Sequence, residues 1–235
     1  MTHRTAVAIT VAAVLLAPTA GCSALRAGGG EAVSAPDLQK DITDRLTQAG
    51  HPPKSVSCKG GLKAEAGAST RCDVVLGDTN SIEPVVTVTA VDPVTYSVAP
   101  AVSGEQLAAA VGRLLASPTV DCESGLDGKI GAQAQCEVTK DAVMMTRTVE
   151  VTNVEGLLMS YAVLPVLARQ QVQDLLAERL QGGRPDTVDC AGDLQGKVGA
   201  SLDCTTVTGG ARQRLTLTVT GVKGDQIDFA VAPKG

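Results

Sequence analysis

Cysteine is the residue type with the most chemistry to offer in this sequence. Six of the seven fall into three pairs of one spacing: Cys58 and Cys72, Cys122 and Cys136, Cys190 and Cys204, each with thirteen residues between. Thiols so placed have three uses, which are a disulfide, a zinc site or a redox couple. Zinc sites take cysteines a few residues apart together with histidine, but no pair here is that close, and beyond the leader His51 is the one histidine. Redox thiols sit in Cys-x-x-Cys at a helix start, where the nucleophile's pKa is lowered, and this spacing does not do that. Structural disulfides are the expectation, with no metal and no cofactor.

The seventh thiol has a different context. Cys22 closes the run Leu16-Ala17-Pro18-Thr19-Ala20-Gly21-Cys22, which follows a basic start at His3 and Arg4 and an apolar stretch from Ala6 to Leu16. That stretch is too short to span a bilayer, and the order of parts is that of a secretory signal. Cleavage before Cys22 gives a thiol for a diacylglyceryl group, and two acyl chains anchor durably where one is marginal. The alternative is a plain secreted protein with a leader cysteine. Lipidation at Cys22 is the expectation, with residues 1–21 as signal peptide and the protein lipid-anchored on the extracytoplasmic face of the cell membrane. An oxidising compartment also favours disulfides.

Elements must then position the six paired thiols, and they recur with the thiols. Val56, Val120 and Val188 stand two places before the first cysteine of each pair. Leu62, Leu126 and Leu194 stand four places after it, followed by Gly67-Ala68, Gly131-Ala132 and Gly199-Ala200. The three aromatic residues of the chain share one place as well: Tyr96, Tyr161 and Phe229, each four residues ahead of a proline. Six cysteines allow fifteen connectivities, and repetition selects one, with each pair closed inside its own unit.

Ahead of each pair lies a segment of helical period, carried by Leu38, Ile42 and Leu46, then by Leu107, Val111, Leu114 and Leu115, then by Val172, Leu175, Leu176 and Leu180. Ser103 three before Gln106 forms a capping-box pattern. After each pair the period becomes two, as in Val86 and Val88, Val149 and Val151, and Leu215, Leu217 and Val219. The fold class expected is α+β: three tandem small domains, each one helix packed on a small antiparallel sheet with one internal disulfide. The boundaries are a lipidated flexible tether over 22–35, then units at 36–100, 101–165 and 166–235. A tether of a dozen residues spans about 20 Å as a coil. Units this small with one aromatic apiece have poor cores, and closing such a loop adds roughly 3 kcal/mol.

The pattern Val-x-Cys, Leu four later, Gly-Ala, then Cys, preceded by a helix and followed by alternating valines, resembles the actinobacterial domain of unknown function 4333 family, in three copies from about Pro36 onward. The resemblance implies a cell-envelope location and a small cysteine-bearing domain. It implies no activity, because the residues that carry it are structural.

The function expected is non-catalytic. The net charge of −5, one unit more negative once Arg4 leaves with the leader, argues against nucleic acid, as does the lack of any basic cluster interleaved with aromatics. His51 sits in the turn His51-Pro52-Pro53 and reads as an exposed loop side chain, so no serine or cysteine nucleophile has a base. No catalytic residue is assigned and the chain is not expected to be an enzyme. Val143-Met144-Met145 and Leu157-Leu158-Met159 are more apolar than the matching stretches elsewhere, and packing against an adjoining unit is the reading favoured over an adaptable binding surface. The expected partners are the membrane, through the N-terminal lipid, and an envelope protein or polymer held by a binding or scaffold module. The alternative is a carrier or sensor of a lipid or other amphiphile, with a cavity between helix and sheet.

Overall fold

A computed structural model describes residues 31–78, 80–117, 119–180 and 184–234. The expected signal peptide, Cys22 and the first part of the expected tether lie outside the described residues. The tether ends earlier than residue 35, because Glu31–Val33 is a strand, β1, and Ser34 caps the helix that follows. Val33 packs on the core, and the β1 backbone pairs with a short strand whose groups need a partner.

The first segment continues with α1 (Ala35–Gln48), β2 (Ser55–Cys58), β3 (Leu62–Lys63), β4 (Ser69–Val75), β5 (Ser81–Ile82), β6 (Val85–Val91) and β7 (Val94–Ala99). The second has β8 (Ala101–Val102), α2 (Gly104–Leu115), β9 (Thr119–Cys122), β10 (Leu126–Asp127), β11 (Gln133–Lys140), β12 (Val143–Glu155) and β13 (Leu158–Leu167). The third has α3 (Arg169–Arg179), β14 (Thr187–Cys190), β15 (Leu194–Gln195), β16 (Ser201–Thr208), β17 (Ala211–Lys223) and β18 (Gln226–Pro233). The fold is therefore α+β, with antiparallel sheets in the orders β2-β4-β6-β7, β9-β11-β12-β13-β15 and β14-β16-β17-β18, and small ladders β1-β3 and β8-β10.

The helices start and stop for identifiable reasons. The Ser34 hydroxyl accepts from the Asp37 N–H at 3.3 Å, and Ser103 and Gln106 complete the capping box on α2. α3 has no capping side chain at Ala168, so the Gln171 side chain accepts the Ala168 N–H at 3.0 Å and Asp193 accepts that of Arg169 at 2.7 Å. Leu38, Ile42 and Leu46 are at most 1% exposed. The expected face of α2 is corrected: Leu114 is exposed, because four residues after Val111 it is Leu115, not Leu114, that returns to the buried stripe. α3 likewise stops at Arg179, leaving Leu180 as its cap.

Each cysteine pair sits directly across an antiparallel ladder, β2 to β4, β9 to β11 and β14 to β16, so Cys58–Cys72, Cys122–Cys136 and Cys190–Cys204 are disulfides with Cα separations of 3.9, 4.0 and 4.0 Å. The Gly-Ala motif also acquires a cause. Gly67, Gly131 and Gly199 have φ of +82°, +84° and +87°, a region that favours glycine. Each donates its N–H to the carbonyl of Val88, Val151 or Val219, and each following alanine carbonyl accepts the N–H of that same valine. Those valines lie beside a one-residue register shift in all three sheets. The motif thus holds the bend at which each long hairpin leaves its sheet.

Residues from Glu31 onward form one compact unit. One apolar core runs through the first two segments, and a second fills the third.

Candidate functional site

Two junctions join the segments, and both are built on a proline. The chain passes from β7 through Pro100 into β8, and the carbonyl of Pro100 accepts the Gly128 N–H at 2.7 Å. A Cβ on Gly128 would lie 2.2 Å from Pro100 Cγ. At the second junction β13 runs straight through Pro165, pairs with β12 on one side of it and with β15 beyond it, and Pro165 accepts the Gly196 N–H at 2.7 Å. A Cβ there would lie 2.6 Å from Pro165 Cγ. The matching residue of the first segment, two after Leu62, is Ala64. Glycine stands where a proline must be received.

The junctions differ in what surrounds the proline. At the second, Arg147, only 5% exposed along its side chain, donates to Asp225 at 2.6 Å. Lys197 donates to Glu150 at 2.6 Å, and Gln133 bridges Glu150 and Gln195. The Lys197 and Gln133 bonds hold the Glu150 carboxyl below the usual carboxylate range. At the first junction Glu83 is buried and takes Lys59 and Arg71 from its own segment, while its N–H donates to Ala101 at 2.7 Å. The Lys59 ammonium is pushed up by that partner. Leu157, in the β12–β13 turn at the place of Asp225 in the β17–β18 turn, is buried in the joined core.

A cleft of about 710 Å³ opens between the first and second segments. One wall is the Gly50–Pro52 turn with Leu76, Gly77, Asn80 and β5; the other is α2 and the far end of the β12–β13 hairpin. Leu76, Ile82, Leu158 and Met159 give it an apolar lining, while Arg113, Tyr161, His51 and Glu155 supply polar groups. Burial pushes the pKa of Tyr161 up and Arg113 pulls it partly back, so the phenol carries its proton at neutral pH and is a donor. This volume suits a small ligand.

The structure redistributes the expected sites. Cys22 lies outside the described residues. The six paired cysteines are spread over three ladders and do not meet. His51 is exposed and also faces the cleft. Leu158 and Met159 line the cleft against the first segment and Leu157 is buried in the joined core, but Val143 and Met144 are 58% and 66% exposed, because the β11–β12 hairpin carries them past the packed part of the sheet. The cleft lies between segments, whereas the cavity expected is one between helix and sheet, where the inward helix residues Leu38, Ile42, Leu107, Val111, Val172 and Leu176 are buried. Arg113 went unnoticed in the sequence; aligning the helices on Leu38, Leu107 and Val172 sets Ala110 against Asp41 and Leu175 and would have drawn attention to this face. Among the described residues no helix is long and apolar enough to cross a membrane, and no group of three or more His, Cys, Asp and Glu comes together as a metal site.

The sequence profile of one family, the domain of unknown function DUF4333, matches residues 17–93 and 158–224. No curated protein and no solved structure matches the chain.

Proposed function

Given that this chain belongs to the DUF4333 family, we propose that it is a lipid-anchored cell-envelope protein without catalytic activity, whose joined segments present a binding site for an envelope component. The anchor is Cys22, and the organism type is the actinobacterial one that the resemblance implies. We further read the chain as three copies of one helix-on-sheet domain. The two family matches end at corresponding hairpin turns, near Pro93 and Gly224, and the interval between them, 94–157, is one copy long. That interval carries the same disulfide spacing and the same glycine-held bend.

The observation that carries the binding reading is the cleft between the first two segments, whose walls are locked together by a common core. A preformed concavity needs no ordering when it is filled. Two measurements test the proposal. Feeding cells a clickable fatty acid labels the wild-type chain and not Cys22→Ala; label on both, or on neither, removes the anchor. A photo-crosslinking side chain at position 51, used in living cells, gives a discrete adduct that the same group at exposed position 144 does not. Equal adducts at both places, or substrate turnover abolished by one substitution, overturns the binding reading.

A further inference from the structure

The aromatic residue of each segment faces the helix of that segment, and the three pairings are not alike. In the first, the Tyr96 hydroxyl donates to Asp41 on α1 at 3.1 Å. In the third, the Arg179 guanidinium of α3 lies 4.6 Å over the Phe229 ring, and Leu175 is packed on the core. The position held by Asp41 and Leu175 is Ala110 in α2. Alanine fills nothing there. Among the described residues, the Tyr161 hydroxyl has no protein hydrogen-bond partner and the Arg113 side chain makes no ion pair, while Ala110, Arg113 and Tyr161 all line the cleft.

We infer that this cleft holds one single-chain amphiphile with an anionic head, its tail along Leu76, Ile82, Leu158 and Met159 and its head on Arg113 and Tyr161. The inference rests on the binding reading and names its ligand. A guanidinium offers a planar fork of N–H donors that matches a carboxylate, and the phenol adds an O–H. An acyl tail finds apolar side chains on both walls, Leu76 and Ile82 on one and Leu158 and Met159 on the other. Charge elsewhere in the cleft does not cancel the head site. Glu155 lies four residues along β12 from Val151, the partner of Tyr161, which puts it more than about 10 Å away along the strand. His51 is on the opposite wall. Volume limits the tail to one chain, since cavities of this class take ligands of drug size.

The three methionines beyond the leader make the test local: Met159 lines the cleft, whereas Met144 and Met145 belong to the other end of β12. The full chain, labelled with carbon-13 at its methionine methyls, is titrated with oleate and separately with oleyl alcohol. The expected result is that Met159 alone moves, that oleate saturates at one equivalent, and that it binds roughly tenfold tighter than the alcohol, the worth of a charge-assisted hydrogen bond. Arg113→Gln brings oleate down to the alcohol, and Ala110→Leu, which copies the third segment, removes both. Equal binding of the two probes, a shift of Met144 as large as that of Met159, or oleate binding untouched by Arg113→Gln overturns the inference. Arg113 is exposed, so its variant keeps the test valid even if Ala110→Leu fails to fold. If oleate leaves Met159 unmoved while position 51 still crosslinks a discrete partner, the amphiphile falls and the binding reading stands. If crosslinking fails too, both fall.

Discussion

The two junctions join similar parts by different means. Across the first the side-chain contact is apolar: Leu157 enters a core that runs unbroken from α1 to the β12–β13 hairpin, and the Glu83 ion pairs stay within the first segment. The second is polar, with Arg147 on Asp225 and Glu150 on Lys197, and the third segment keeps a core of its own. Apolar burial grows with the area removed from water and is not screened by salt, while partly exposed ion pairs contribute little and are screened. The first two segments are therefore a single stability unit that can hold a cleft in fixed shape, and the third is attached to it by contacts that solution conditions can weaken.

The comparison breaks most visibly through the disulfides. Replacing Cys122 and Cys136 by serine, or Cys190 and Cys204, removes a closed loop of the same length and costs about 3 kcal/mol in each case. The consequences should differ in extent. Losing Cys190–Cys204 lets residues 184–234 exchange their amide hydrogens while 31–165 stay protected. Losing Cys122–Cys136 exposes 31–165 together, because the core there is shared. Hydrogen exchange followed by mass spectrometry reads both, and an opening confined to residues 101–165 would show that the first two segments are not one unit.

Next come the matched turn residues. Leu157→Ala deletes a side chain only 8% exposed and should cost about 2–4 kcal/mol. Asp225→Ala, at the corresponding place, removes a carboxylate that is 69% exposed and should cost under about 1 kcal/mol, less still in high salt. Arg147 keeps the Thr146 carbonyl and the Met145 sulfur as acceptors after that change. Denaturant midpoints at low and high salt measure the difference; comparable losses at the two turns would erase the distinction between the junctions.

The proline sockets sharpen the comparison from the other side, because both junctions share them. Gly128→Ala and Gly196→Ala each put a methyl group against a proline ring and its carbonyl, and the backbone must yield, at about 1–3 kcal/mol. Alanine is already present at position 64, and Ala64→Gly should cost only what added chain freedom costs, under about 1 kcal/mol. Thermal unfolding of the three variants decides. A neutral Gly128→Ala would mean that the proline does not seat as described.

Sequence alone revealed the parts that recur and missed the parts that arise between repeats. The cysteine spacing was legible because partners across a short hairpin must lie a fixed number of residues apart. Gly67-Ala68 and its copies stood out as a motif, yet their hold on Val88, Val151 and Val219 depends on a register shift that alternation does not encode. β1 escaped because three residues give no period, and the unit boundary at 165 falls inside β13, which runs on through Pro165 to Leu167. Here Pro165 sits opposite Arg147, where the ladder passes from β12 to β15. The cleft had no signature, because its walls come from residues 50–82 and 102–161, which no local pattern connects.

The smallest effect isolates Glu150. Its carboxyl titrates below the ordinary range because Lys197 and Gln133 bond its charged form, so the unfolded chain takes up that proton at higher pH than the folded one. Stability from this group is thus complete above the unfolded value, near 4.3 for a glutamate, and is lost as pH falls through the depressed folded value. Lowering the pH from 6 toward 3 should loosen the second junction while the first keeps its apolar contacts. Glu150→Gln should remove that part of the pH dependence and leave the rest, with Lys197→Met removing only its larger share, because Gln133 still bonds the charged carboxylate. Exchange of the amides in β15 across the pH series, corrected for intrinsic rates, reads the junction directly; equal acid sensitivity in β10, the matching strand of the first junction, would place the effect elsewhere than at Glu150.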